Sequence, residues 1–211
     1  MKIAVIGASG FTGKAVVFEA LKNGHSVYAV SRSGKFEPQA NLTVIHENVN
    51  HVDALSEKIK DADLIISSFN AGWENPNLYN DFLEGSRSII KMARNLDKRL
   101  VIIGGASSLY DPRTNETLYA NASKEMKQMV KGAYDLYQEL KEDKSVKWTF
   151  VSPAIELNDN KPTYTYNIGS DYILFNQEGK STVSIFDLAD LTINAAASDL
   201  NIYKRLTLSD R

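Results

Sequence analysis

Gly7-Ala8-Ser9-Gly10-Phe11-Thr12-Gly13 joins two segments of different period. Before it runs Lys2-Ile3-Ala4-Val5-Ile6, a β-branched stretch with the character of a fully buried strand. After it, from Lys14 to Lys22, apolar positions repeat at helical spacing until Asn23-Gly24 supplies a stop. Strand, glycine turn and helix in this order predict a dinucleotide-binding unit. Gly7 permits the tight turn, Gly10 lets the backbone approach a pyrophosphate, and Gly13 lets the helix lie close on the strand. The phosphates are expected at the helix N-terminus, where N–H groups lack partners within the helix. Ser9 and Thr12 bring hydroxyls towards the phosphate oxygens, and Phe11 between Gly10 and Thr12 is counted with these contacts. The glycines could serve only to tighten a corner, but each would then cost about 1 kcal/mol in a helix start that had no use for it.

Working outward, strand and helix patterns alternate. Residues 25–30, 42–46, 63–67, 99–104 and 146–151 read as further strands. Residues 52–59, 78–95 and 123–142 read as helices, the last with a long polar face. This rhythm predicts an α/β fold, a doubly wound parallel sheet of strand order 3-2-1-4-5-6, the Rossmann fold. After Pro153 the pattern becomes irregular. Residues 164–168 and 181–185 look like short strands and 187–197 like a closing helix. We expect a single NAD(P)-binding domain over residues 1–211, with a small C-terminal hairpin for substrate.

Composition narrows the class. A chain of 211 residues is long enough for one substantial core, and its net charge of −2 is spread in mixed sign. Neither nucleic acid nor a membrane surface is an expected partner. The absence of cysteine excludes disulfides and thiolate metal sites. His25, His46 and His51 form no metal-binding pair, so no metal is expected. No apolar run approaches the roughly 20 residues that span a bilayer. With no signal peptide recognised at the start, a cytoplasmic protein acting on a small molecule is the expectation.

The ends of the strands hold the candidate site residues. After the second strand, NAD-specific chains place an acid that grips the ribose hydroxyls. Here Ser31-Arg32-Ser33 offers a cation and hydroxyls instead, which favours NADP(H) over NAD(H), since a guanidinium pairs with a 2′-phosphate. After the third strand, Asn48 and Val49 lie in Glu47-Asn48-Val49-Asn50; the amide suits either an adenine edge or a local cap. After the fourth, Ser68, Phe69 and Asn70 leave room for ribose and nicotinamide, and Trp73 stands just beyond as a surface for a planar substrate or as a cover for a helix end. After the fifth, Gly104-Gly105-Ala106-Ser107-Ser108-Leu109-Tyr110 suggests close approach to ligand. Ser107 and Ser108 can offer hydroxyls to a carbonyl or carboxamide, and neither has a histidine partner that would make it a nucleophile.

These motifs, with Trp148-Thr149-Phe150-Val151-Ser152-Pro153-Ala154, Tyr166-Asn167-Ile168-Gly169 and Val183-Ser184-Ile185-Phe186-Asp187-Leu188-Ala189, resemble the atypical short-chain dehydrogenases/reductases. The resemblance spans nearly the whole chain. It is narrowest to the NAD(P)H-flavin reductase branch, with the NmrA-like regulators as neighbours. It implies that Pro153 lies against the nicotinamide and that Ser107 faces the reacting ring. The tyrosine acid of ordinary members is displaced here. Tyr119 has Lys124 five residues on, about 140° around a helix. Tyr137 and Lys141 have the right spacing but lie deep in their helix. Hydride transfer to a flavin does not need that acid, only two aligned rings, and Phe69, Trp73, Tyr110, Tyr164 and Tyr166 are candidate walls. The expected function is therefore an NAD(P)H-dependent reductase with FMN, FAD, riboflavin or a similar ring as substrate. The alternative is a non-catalytic redox sensor of the NmrA-like kind, which would have a protein partner. A nucleotide-sugar epimerase is less expected, because about 60 residues after the sixth strand are too few for a separate sugar-binding lobe.

Overall fold

The β-branched runs become strands that pair side by side. The computed structural model describes residues 1–211. In chain order the elements up to the sixth strand are β1 (Lys2–Ile6), α1 (Phe11–Lys22), β2 (Ser26–Ser31), β3 (Leu42–His46), α2 (Val52–Ile59), β4 (Leu64–Ser67), α3 (Leu78–Asn95), β5 (Arg99–Ile103), α4 (Leu118–Asn121), α5 (Lys124–Leu140) and β6 (Trp148–Ser152). They form a parallel sheet in the order β3-β2-β1-β4-β5-β6, as the alternation predicts. The strands are in register at their carboxyl ends, with Ile6 opposite Val30 and Ser67, and Ile103 opposite Val151. Successive side chains of one strand serve opposite faces. Ile3 and Val5 of β1 join a core with residues of α1, while Ala4 and Ile6 join a second core with residues of α2, α3 and α5. The two cores hold 23 and 22 buried residues, so the sheet is covered almost equally on both faces.

The C-terminal segment departs from the expected hairpin. β7 (Glu156–Asn158) pairs with β9 (Thr182–Ser184) in parallel, as a separate two-stranded sheet. β8 (Tyr166–Gly169) pairs antiparallel with β10 (Lys204–Asp210), which itself lies parallel to β6. The main sheet thus has eight strands, ending β6-β10-β8. β7, β10 and the short α4 are not evident in the sequence. α6 (Ile185–Ala196) shares its core with α1. Its Ser184 hydroxyl caps the first turn by accepting from the Phe186 N–H. No helix is long and apolar enough to cross a membrane.

Candidate functional site

The loops that leave the carboxyl ends of β1 to β6 converge on one edge of the sheet, where ligands bind in open α/β folds. Two hollows lie there. A polar one of about 360 Å³ is lined by the glycine turn and the loops after β2, β3 and β4. An apolar one of about 240 Å³ is lined by the start of α1, the loops after β4, β5 and β6, and α5. Gly10, Ser68, Phe69 and Asn70 line both, so they are halves of a single cleft.

The glycine turn is built as its spacing predicts. Gly7 has φ +80°, and a Cβ there would lie 2.5 Å from the Ser68 carbonyl oxygen. The N–H groups of Gly7 and Ala8 both donate to the Val30 carbonyl, at 3.0 and 3.1 Å, which ties the turn to β2. A Cβ on Gly13 would overlap the Gly7 carbonyl oxygen, so α1 can rest this close only on glycine. Gly10 is the N-cap of α1, no side chain caps the helix, and its first turn holds no acid. Its free N–H groups and positive dipole end therefore open towards the cleft.

In the polar half, Ser9, Ser31, Arg32, Asn48 and Val49 come together. Arg32 is exposed. Ser31 is buried, and its Oγ accepts from the Gly34 N–H at 3.1 Å, folding the loop back over Ser9. Asn48 Oδ1 accepts from the Asn50 N–H at 3.0 Å, so one end of this amide already serves the local turn. Glu47 also lines this half, an acid whose part here its sequence position did not reveal. Its carboxylate accepts from Lys58 Nζ at 2.8 Å and from the Asn48 N–H at 2.9 Å, and lies 2.8 Å from His51 Nδ1. Lys58 foremost, then the Asn48 N–H and His51, hold this carboxyl down to about 2.

In the apolar half, Ser107 is 8 % exposed, and its Oγ has no hydrogen-bond partner. The Ser68 Oγ is likewise buried and unpartnered. A buried hydroxyl without a partner is costly, and both belong to residues that line this cleft. Together with the glycine cradle and the uncapped helix, they fit a bound group that brings its own donors and acceptors. Phe11, Thr12, Trp73 and Pro153 line the same half, with Trp73 62 % exposed at its mouth. Phe69 separates the halves and is stacked on Phe82 of α3, with ring centroids 6.1 Å apart. Tyr79, Met129, Val130 and Ala133 complete the walls. The i, i+3, i+7 stripe Met126, Met129, Ala133 on a polar helix was the signal that could have pointed to α5.

Four candidates fall elsewhere. Ser108 is not free for catalysis: its Oγ and carbonyl oxygen both accept from Arg205 Nη1 at 3.0 Å, and the residue is 3 % exposed. Tyr110 leans on Tyr172, with centroids 5.8 Å apart, and does not line the cleft. Tyr164 lies against α1, its hydroxyl donating to Glu19 Oε1 at 2.8 Å and meeting Lys22. Tyr166 donates to Asp190 Oδ2 at 2.7 Å, and burial, aided by Asp190, raises its pKa. The last two are displaced because the stretch that carries them lies against α1 and α6, whereas of the residues after β6 it is Pro153 and Leu157 that reach the cleft. Tyr119 and Lys124 lie on different helices, α4 and α5, separated by Ala122 and Ser123. The Tyr119 ring is stacked on Tyr134 at 4.3 Å. Tyr137 sits under the Arg205 guanidinium, 4.3 Å away, and burial raises its pKa. Neither tyrosine lines the cleft.

The sequence profile of a family described as NAD(P)H-binding matches residues 7–199. The Bacillus subtilis (strain 168) protein YwnB is 31% identical over 193 residues, which is 90% of this chain and 89% of that protein. A "putative NADH-flavin reductase" from Streptococcus pneumoniae superposes with a TM-score of 0.87 at 28% identity, over 100% of both chains. A "putative epimerase" from Bacteroides thetaiotaomicron superposes with a TM-score of 0.88 at 29% identity, over 99% of this chain and 96% of that one.

Proposed function

The chain belongs to the NAD(P)H-binding family, and from that premise we propose that it is an NADPH-preferring reductase whose acceptor is a flavin or a similarly planar ring. The observation that carries the reading is the unpartnered Ser107 Oγ in the apolar half of the cleft, beside Pro153. When bound, the dinucleotide supplies a hydride at its nicotinamide ring. The chain's own part is positional. The α1 N-terminus with Gly10 takes the pyrophosphate, and Arg32 with Ser31 takes the 2′-phosphate. Ser107 offers its hydroxyl to the carboxamide or to the acceptor. Phe11, Trp73 and Pro153 exclude water and hold two rings face to face. No tyrosine acid is required, which accords with Tyr119 and Tyr137 lying outside the cleft.

The segment after β6 supports a reductase over a sugar-processing enzyme, because β10 and β8 extend the main sheet and build no separate lobe. The missing tyrosine–lysine pair favours one second reading, a sensor that binds the dinucleotide without turnover. NADPH and NADH oxidation followed at 340 nm with FMN, FAD, riboflavin or no acceptor separates the two. We expect acceptor-dependent turnover, with NADPH bound about tenfold tighter than NADH at low salt. Arg32→Ala should remove that difference by weakening NADPH alone. Tight NADPH binding without oxidation by any of the three flavins would favour the sensor.

A further inference from the structure

An acid stands directly beside the loop that carries Arg32. Ser31 of β2 pairs with His46 of β3, and the next N–H, that of Glu47, donates to the Ser31 carbonyl at 3.2 Å. Glu47 and Arg32 therefore leave adjacent strand ends and line the same half of the cleft. A bare carboxylate at this rim would accept from the ribose hydroxyls of NADH and repel the 2′-phosphate of NADPH. This carboxylate is not bare. Lys58 Nζ donates to one oxygen at 2.8 Å, and the Asn48 N–H donates to the other at 2.9 Å beside His51 Nδ1. The Glu47 side chain is only 14 % exposed while Lys58 is 46 % exposed, so the cation approaches from solvent and the acid is the member that borders the cleft.

We propose that Glu47 is a masked ribose acceptor and that Lys58, from α2, sets cofactor choice by compensating its charge. The proposal rests on the NADPH-preferring reading above. With Lys58 in place the charge of Glu47 is compensated and both of its oxygens have partners, so Arg32 can receive a dianionic phosphate without an uncompensated Glu47 beside it. Without Lys58, Glu47 turns to the ribose diol, and the same pocket favours the cofactor that lacks the phosphate. His51 alone does not replace Lys58, since its Nδ1 meets the carboxylate oxygen that the Asn48 N–H already serves and leaves the other oxygen without a partner. Two further acids, Asp81 and Glu84 of α3, line this half. Asp81 is held by the side-chain amides of Asn75 and Asn77, and neither acid touches Lys58, so their contribution is the same in every variant compared.

The test is the ratio of NADPH to NADH affinity at pH 8 and low salt. It is measured by tryptophan fluorescence on the full chain for wild type, Lys58→Gln, Lys58→Arg and the double variant Glu47→Gln/Lys58→Gln. Lys58→Gln should lower the ratio about tenfold, the size of one charge-assisted hydrogen bond. Lys58→Arg should keep it, and the double variant should restore it. The thermal midpoint should fall little, because the cation being replaced is half exposed and Glu47 keeps the Asn48 N–H. An unchanged ratio in Lys58→Gln would overturn the proposal. So would a fall that persists in the double variant, which would trace the effect to lost structure and not to the charge of Glu47. Equal wild-type affinities would count against the role of Arg32, whereas masking would still show as a ratio falling below one in Lys58→Gln.

Discussion

Ser107 is poorly satisfied in the folded chain, and the proposed reductase would use it for that reason. Its Oγ is buried without a partner in a cleft wall. Removing it relieves the cost of an unsatisfied hydroxyl, so Ser107→Ala should leave the thermal midpoint of the ligand-free protein unchanged or raise it. On the proposed reductase reading, the same substitution should lower NADPH-dependent turnover about tenfold or more, through loss of one hydrogen bond to the reacting ring. A midpoint that falls together with activity would show that the hydroxyl serves packing. Ser108, its neighbour, behaves in the opposite way, being satisfied twice by Arg205. Adjacent serines in one sequence motif thus have opposite surroundings, and only the direction of each side chain separates them.

At the scale of elements, the loop after β5 is held by a short acid–base turn. Asp111 accepts from the Arg113 N–H and side chain, and Arg113 keeps the Asp111 carboxyl down at about 2. A carboxyl lowered in the folded state stabilises the fold above its unfolded pKa of about 3.9, and that contribution is lost as pH falls towards 2. Between about pH 4 and pH 2, wild type should therefore lose stability faster than Asp111→Asn. Urea midpoints at pH 5 and pH 3 check this, and parallel pH dependences would remove the turn from the account. Which elements were legible follows the same chemistry. β1, β4 and β5 are apolar runs buried on both faces, and the glycine turn is local in sequence, so both could be read directly. β10 could not, because its buried positions include Arg205, Thr207 and Ser209, which read as solvent-facing. Arg205 reaches back to Ser108 across 97 residues, and Tyr166 is drawn to Asp190 of α6. Those contacts depend on the path of the chain after β6, which no local spacing encodes.

The main sheet of the molecule is clothed on both sides, and its last strand is an interior one, lying between β6 and β8. Its Leu208 is fully buried in the same core as β1 and α6. A chain cut after Tyr203 should bind an apolar dye and lose cooperative thermal unfolding, although the cleft-lining loops after β1 to β6 are all present. A cooperative transition in that truncated chain would show that β10 is an accessory. The placement also bears on how the protein is made. A ribosome delivers β6 and β8 well before β10, and throughout that interval β6 is an open edge while β8 has no ladder to join. The nascent chain therefore carries an unpaired parallel edge until β10 is made and out of the ribosome, and only then can the main sheet close.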